Sequence, residues 1–245
     1  MREWILGRNP VYEVLQAQRR QPFQLMLAQG AQEKGRLVEI VQLCQGKRIP
    51  VARVPRQQLD TLGDGHQGVA LDTSAYPYSA LPDILELAEQ RREAPFLLIL
   101  DTLQDPQNFG TLLRTAEVVG VHGVLLPLRH TVTVTPAVVN ASSGASEHLL
   151  VAQVNLAQVI DDLKERGIWV VGLEGGERAL PPDQIRLDGP LALVVGSEGQ
   201  GMRPLVSNSC DLLMRLPMRG KVESLNAAVA GSVALYLAWQ ARGFR

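Results

Sequence analysis

A serine and an asparagine stand directly before a run of small apolar residues near the carboxyl end of the chain. They are Ser224 and Asn226, and alanine and valine residues follow them. Both residue types are favoured helix N-caps. The pattern therefore predicts a capped helix over residues 224–239, with hydroxyl and amide groups at its first turn that could also orient a bound group.

Two earlier segments place polar residues in similar positions. An apolar run from Leu193 to Val195 leads into a glycine-rich loop that carries one carboxylate, Glu198. Farther upstream, Asn108 and Arg114 lie six residues apart, on a turn and the helix after it. Glycines permit tight turns, but they also let backbone groups come close to an adenine and its ribose. The G-x-G-x-x-G dinucleotide fingerprint is absent after the first strand of this region, and nothing resembles a P-loop.

In this order, the three segments resemble the motifs of SpoU/TrmH-type RNA ribose 2′-O-methyltransferases of the SPOUT superfamily. The resemblance covers most of residues 95–245. It extends to the amino end, where Leu6 to Val11 and His66 to Val69 resemble the substrate-binding domain of the ribosomal-RNA branch. It implies a trefoil-knotted α/β domain that binds S-adenosyl-L-methionine, a smaller ribosomal-protein-like α/β domain that binds RNA, and a homodimer paired through the knotted domains.

The resemblance also implies the site residues. The catalytic positions fall on Asn108, Arg114, Glu198, Ser224 and Asn226. The cofactor positions fall on Glu174, Gly175, Gly196, Gly201, Leu216, Met218, Ser224 and Leu225. No metal is implied. Because arginine stays protonated in proteins, we expect Arg114 to stabilise the developing alkoxide or to pass its proton towards an RNA phosphate, rather than to act as a simple base.

Composition limits the classes to which the protein can belong. The 245 residues are 46% hydrophobic and 20% charged, which is ordinary for a globular protein. No apolar run reaches the length of a membrane span, no signal-peptide pattern opens the chain, and two cysteines are too few for a disulfide framework. A cytoplasmic location is therefore expected. The net charge of −1 argues against RNA binding by itself, but residues 1–75 hold 10 Lys and Arg against 7 Asp and Glu.

The hydrophobic pattern predicts three parts. Residues 1–75 are expected to form a compact α/β unit that binds the RNA substrate, and residues 76–94 a linker that contains a helix. From residue 95 onward, continuous apolar runs alternate with helical segments, which predicts an α/β domain with a largely parallel sheet over 95–245. The helical segments are expected near 108–119, 136–144 and 156–166. The segment 136–145 either faces RNA beside the site or packs as a helix on the sheet.

The favoured function is S-adenosylmethionine-dependent 2′-O-methylation of a ribose in ribosomal RNA, with a large-subunit guanosine implied by the resemblance. A tRNA ribose methyltransferase and a non-catalytic RNA-binding ribosome-assembly protein are the alternatives. The intact set of predicted catalytic residues disfavours a protein that only binds. A nucleotide-cofactor enzyme for small molecules is disfavoured by the late position of the glycine loops and by the amino-terminal domain.

Overall fold

The computed structural model describes residues 2–32, 34–222 and 224–244. The described elements of the first half are β1 (Arg2–Leu6), α1 (Arg8–Ala17), β2 (Pro22–Ala28), α2 (Arg36–Gly46), β3 (Val51–Val54), α3 (Arg56–Asp60), β4 (Val69–Ser74), α4 (Leu81–Arg91), β5 (Phe96–Leu100), α5 (Pro106–Val118) and β6 (Gly123–Pro127). Those of the second half are α6 (Pro136–Ala141), β7 (Leu150–Val154), α7 (Leu156–Glu165), β8 (Trp169–Leu173), β9 (Leu191–Val195), α8 (Pro204–Ser209), β10 (Leu212–Met214) and α9 (Ala227–Ala241).

The chain divides into two units. Unit 1 comprises Met1–Pro77 together with Thr133–His148, and unit 2 comprises Tyr78–Val132 together with Leu149–Arg245. Unit 1 contains a four-stranded sheet in the order β1-β4-β2-β3. Strand β4 pairs antiparallel with both β1 and β2, and β2 pairs parallel with β3. Helices α1 and α2 are each buried along one side, where Val14 of α1 and Ile40 of α2 lie.

The segment Thr133–His148 joins unit 1 through α6, which packs on β1, and through a short 3₁₀ turn at Ala145–His148, which packs on α1. A buried ion pair holds the turn. Arg20 donates from Nε and Nη2 to both carboxylate oxygens of Glu147 at 2.8 and 2.9 Å. Its Nη1 reaches Glu3 at 2.7 Å. Burial lowers the pKa of Arg20, but the two carboxylates outweigh that cost and raise it.

Removing one partner of this pair is expected to destabilise unit 1. The side chains of Arg20 and Glu147 are 0% and 1% exposed, so Arg20→Met would leave a buried carboxylate without its cation. We expect the free energy of unfolding to fall by about 3–5 kcal/mol in urea denaturation followed by circular dichroism. The double variant Arg20→Met/Glu147→Leu should regain most of the loss, because it removes both charges.

The exposed pair of Arg36 and Glu39 provides the matched control. Its side chains are 38% and 46% exposed, so Arg36→Ala should cost less than about 1 kcal/mol. An Arg20→Met variant as stable as Arg36→Ala would contradict the prediction.

Unit 2 is built on a six-stranded parallel sheet in the order β10-β8-β9-β5-β6-β7. Every residue of β5, β6 and β9 is buried. Helices α4, α7 and α8 pack on one face of the sheet. Helices α5 and α9 cover the other, where Gly231 of α9 lies against Leu112 of α5 and Val195 of β9. The predicted α/β class with a largely parallel sheet is confirmed.

Several element boundaries differ from the prediction. Asn108 lies inside the first turn of α5 rather than on the turn before it, because Asp105 is the N-cap. Helix α9 begins at Ala227 with Asn226 as its cap, so Ser224 precedes it. Helix α6 ends at Ala141 rather than at 144. It packs on β1 of the four-stranded sheet, so segment 136–145 includes a packed helix, but the prediction that it packs on the parallel sheet is wrong.

Among the described residues, no helix is long and apolar enough to span a membrane.

Candidate active site

The loop from Gly196 to Gly201 folds back on itself. Ser197 and Gly201 exchange two backbone hydrogen bonds, each 3.0 Å long. Gly199 and Gly201 have φ of +78° and +68°, conformations that glycine adopts without a steric cost. A Cβ on Gly196 would lie 2.2 Å from the carbonyl carbon of Gly201. The returning strand of the loop therefore touches the backbone of Gly196 directly.

An ion pair between a buried carboxylate and a partly exposed arginine fixes the exit of this loop. Asp101, at the end of β5, is fully buried and accepts three hydrogen bonds from Arg203. They come from the backbone N at 2.7 Å, from Nε at 2.8 Å and from Nη2 at 2.7 Å. The sequence interpretation did not select Asp101, although a carboxylate directly after a buried apolar strand was a usable signal.

A cavity of about 430 Å³ opens beside the loop. Leu173, Val195 and Met214 line it, and they are the last residues of β8, β9 and β10. Ligands in open α/β sheets bind outside the carboxyl ends of the strands. All eight predicted cofactor residues line this cavity, namely Glu174, Gly175, Gly196, Gly201, Leu216, Met218, Ser224 and Leu225. Glu198 and Asn226 line it as well.

Two hydrogen bonds orient Glu174 at this cavity. Its carboxylate accepts from the hydroxyl of Ser207 at 2.6 Å, and its backbone N donates to the carbonyl of Met214 at 3.0 Å. Glu174 thereby connects the end of β8 to α8 and β10.

The amide of Asn226 links the three polar segments. Its Oδ1 accepts from the backbone N of Ala228 at 2.9 Å and of Val229 at 3.2 Å, which caps α9. Because Oδ1 is occupied by two donors, the orientation of the amide is set and Nδ2 points the other way. Nδ2 donates to Oδ1 of Asn108 at 3.1 Å and to the carboxylate of Glu198. One side chain thus joins α5, the loop after β9 and the start of α9.

Asn108 is presented by a capped helix end. The carboxylate of Asp105 accepts from the backbone N of Gln107 at 3.1 Å and of Asn108 at 3.3 Å, and Pro106 occupies the first helical position. Proline is favoured there because its missing N–H would have no helical partner. Asn108 lines a second cavity of about 310 Å³, which shares Ser197 and Glu198 with the first.

Arg114 is the one predicted catalytic residue that the structure does not bring to these cavities. It is exposed on α5 and is absent from the described residues that line either cavity. Six helical residues correspond to about 9 Å along the axis and about 240° around it. Arg114 therefore faces another direction from Asn108.

The cysteines and possible metal ligands offer little chemistry. Burial raises the pKa of Cys44 to about 11 and that of Cys210 to about 12, so both thiols stay protonated near neutral pH. Across the described parts of the chain, no three His, Cys, Asp or Glu side chains come together as a possible metal site.

The fold and the site define an α/β protein with a ligand cavity at the carboxyl ends of parallel strands and an asparagine-linked polar cluster beside it. Comparison with known families identifies the class further. Residues 95–236 match the family model of the SpoU rRNA methylase family, and residues 4–79 match that of the RNA 2′-O ribose methyltransferase substrate-binding domain.

Individual relatives agree. The chain is 44% identical over 244 residues to a Bacillus subtilis (strain 168) protein named for the TrmH family of tRNA/rRNA methyltransferases, covering 98% of this chain and 96% of the relative. Two solved structures share the fold at 22% identity, both with bound AdoMet. They are the SpoU methyltransferase AviRb of Streptomyces viridochromogenes, with a TM-score of 0.82 over 100% of this chain and 92% of that one, and an rRNA methyltransferase of Sinorhizobium meliloti, with 0.79 over 98% and 87%. The chain belongs to the SpoU/TrmH family of RNA methyltransferases.

Proposed function

We propose that this protein transfers a methyl group from S-adenosylmethionine to a ribose 2′-hydroxyl of ribosomal RNA, with a large-subunit guanosine as the favoured target. The observation that carries the proposal is the amide of Asn226. It ties Asn108 and Glu198 together at the rim of a cavity lined by all eight predicted cofactor residues. A protein that only bound RNA would not need this cluster beside a ligand cavity.

The cavity suits S-adenosylmethionine. Its volume of about 430 Å³ lies in the range of small-molecule sites. Leu216, Met218 and Leu225 supply apolar surface for an adenine ring, and the closed loop at Gly196 leaves room for no side chain there. When bound, the cofactor supplies a methyl group on a positively charged sulfur.

The chain's own residues then have two tasks. Asn226 and Glu198 orient groups at the cavity rim, since the helix cap and two further hydrogen bonds hold Asn226 in one position. The ribose hydroxyl is a poor nucleophile until it loses its proton, and a cation near the developing alkoxide lowers that barrier. Arg114 is the residue we assign to this second task.

A homodimer completes the proposal. Val229, Val233 and Tyr236 recur at helical spacing along α9 and are 48%, 41% and 45% exposed. Exposed apolar side chains along one face of a helix whose opposite face is buried favour a partner surface. A second copy of this chain is the proposed occupant, with the two knotted domains of the family resemblance in contact.

Methyl transfer tests the proposal directly. Incubation with S-adenosylmethionine labelled in its methyl group should label unmodified large-subunit ribosomal RNA in preference to bulk tRNA. Nuclease digestion and mass spectrometry should then find the label on a ribose 2′-oxygen. Labelling of tRNA alone would replace the proposed substrate, and no labelling of either RNA would refute the proposed activity.

Asn226→Asp supplies the active-site control for this assay. Aspartate caps a helix as well as asparagine does, so the melting temperature should stay close to that of the parent. Its second oxygen would replace the Nδ2 donor and face the carboxylate of Glu198. We expect the rate to fall by about 10–100-fold, because a small misplacement of orienting groups is costly. A parental rate would show that the link is not needed.

A further inference from the structure

A third cavity, lined by polar side chains, lies wholly within unit 1. Its volume is about 480 Å³, and its lining includes Arg8, Gln29, Gly30, Arg56, Gln67 and Gly68. We call it the Arg8–Arg56 pocket. The described residues that line it include two with charged side chains, and both are arginines. The other polar side chains are the amides of Gln29 and Gln67, and both are exposed.

Backbone hydrogen bonds connect the segments that form the floor of the Arg8–Arg56 pocket. The backbone N of Ala28, the last residue of β2, donates to the carbonyl of Gly68 at 2.9 Å. The backbone N of Gln29 donates to the carbonyl of Val54, the last residue of β3, at 2.8 Å. The two strand ends and the turn before β4 are therefore tied together, and the polar side chains project from a fixed base.

The turn before β4 is held in an unfavourable conformation. Gln67 has φ of +51°, which is uncommon for a residue with a side chain. Arg8 stabilises it twice, from its backbone N to Oε1 of Gln67 at 3.2 Å and from Nε to the Gln67 carbonyl at 3.3 Å. Residues kept in such conformations by several contacts cluster at ligand sites.

A buried histidine supports the same turn. Nδ1 of His66 accepts from the backbone N of Gly68 at 2.9 Å, and Nε2 contacts the carboxylate of Asp60 at 2.8 Å. His66 is 4% exposed, so it supports the turn from the interior of the unit. These contacts hold the backbone on both sides of Gln67.

Not all ten Lys and Arg residues of residues 1–75 are available to RNA. Arg20 is buried with Glu147, and Arg19 donates to Pro77 at 2.9 Å and Tyr76 at 3.0 Å. Arg8 and Arg56, in contrast, meet at one cavity. Arginine suits phosphate oxygens because its planar donors match them.

We infer that the Arg8–Arg56 pocket binds one unpaired nucleotide of the RNA substrate, with its phosphate at the two arginines and its base edge against the amides of Gln29 and Gln67. The inference rests on the proposed function, since it takes the substrate to be RNA. Unpaired bases can enter a cavity and present their hydrogen-bonding edges, whereas duplex bases cannot. A glutamine amide offers a donor and an acceptor for such an edge.

Two variants test the inference by fluorescence anisotropy on an in vitro transcript of large-subunit ribosomal RNA. Arg56→Ala removes a phosphate contact, so affinity should fall by about tenfold and the slope of log K against log salt should become shallower by about 1. Gln67→Gly removes the amide but suits the positive φ, because glycine adopts it freely. It should fold as well as the parent and bind about tenfold more weakly, with an unchanged salt slope.

Arg36→Ala is the control, because Arg36 lies on α2, pairs with Glu39 and stacks on Tyr12 outside the pocket. Parental affinity in Arg56→Ala and Gln67→Gly would overturn the inference, as would an equal loss in Arg36→Ala. Calorimetric titration of S-adenosylmethionine and methyl transfer by the parent are measured alongside. A parent that binds the transcript through this pocket but transfers no methyl group would refute the proposed function and leave the pocket standing.

Discussion

Gly196→Ala is expected to abolish most binding of S-adenosylmethionine. A Cβ at this position would lie 2.2 Å from the carbonyl carbon of Gly201, 2.3 Å from the backbone N of Met202 and 2.5 Å from the Gly201 oxygen. All three are backbone atoms, so no side-chain rotation relieves the clash. The loop has to open, and the paired hydrogen bonds between Ser197 and Gly201 break. Overpacking of this kind costs up to about 3 kcal/mol, so the Kd should rise by about 100-fold.

Gly220→Ala is the matched control for calorimetric titration. Gly220 is exposed and is absent from the described residues that line the cavity, a Cβ there meets no atom within 4 Å, and its φ is outside the left-handed region. Its Kd should stay within about threefold of the parent, because surface substitutions away from such contacts change free energies by only about 0.5 kcal/mol. Equal Kd values for Gly196→Ala and the parent would place the cofactor away from this loop.

The central strands of the parallel sheet were predictable because a continuous apolar segment indicates a buried strand without reference to the rest of the chain. Residues 96–100 and 191–195 are apolar throughout, and the structure buries every one. Strands β10 and β1 were not predictable in this way. Strand β10 has three residues and pairs with β8 some 40 positions upstream. Strand β1 pairs with β4, from Arg2 opposite Ser74 onward. Pairings over such separations leave no periodic signal in either segment.

The membership of Thr133–His148 in unit 1 was also invisible in the sequence. The helical spacing of α6 is local, but α6 packs on the distant strand β1, and the turn after it is held by the pair of Arg20 and Glu147, which are 127 positions apart. One consequence concerns a fragment of residues 95–245. It would retain α6 and the 3₁₀ turn without β1 and α1, so Glu147 and Val139, both buried in the whole chain, would become exposed.

The candidate site, too, could be predicted from the sequence only in part. Its residues carry recognisable types and spacing, and the structure gathers Glu198, Ser224 and Asn226 at the cavity that the glycine loops form. The residue that does the linking could not be chosen from sequence, because both Ser224 and Asn226 are good N-caps. Only the geometry shows that Asn226 caps α9 and reaches Asn108.

Arg114→Ala is expected to lower the rate of methyl transfer by about 10²–10⁴-fold while leaving the Kd for S-adenosylmethionine unchanged. Stabilising charge that appears only in the transition state is worth about that much. The cofactor cavity does not include Arg114 among the described residues that line it, so binding should not depend on it. Arg114→Lys should recover little, because an ammonium group lacks the planar fork of donors. A rate within about threefold of the parent would remove Arg114 from the reaction.

The position of Arg114 also predicts which site it serves in the proposed dimer. It faces away from Asn108 on α5 and is exposed, so we expect it to act in the cavity of the partner subunit. At a concentration of S-adenosylmethionine that leaves the Gly196→Ala cavity largely unoccupied, Arg114→Ala and Gly196→Ala should each be nearly inactive alone and should complement one another when their subunits are mixed and exchanged. In a mixed dimer the Arg114→Ala subunit keeps an intact cavity, and the other subunit supplies the arginine. Random exchange at equal amounts should restore about a quarter of parental activity, because half of the dimers are mixed and each has one complete site. If mixing restores nothing while sedimentation shows that dimers have exchanged, Arg114 serves the cavity of its own chain.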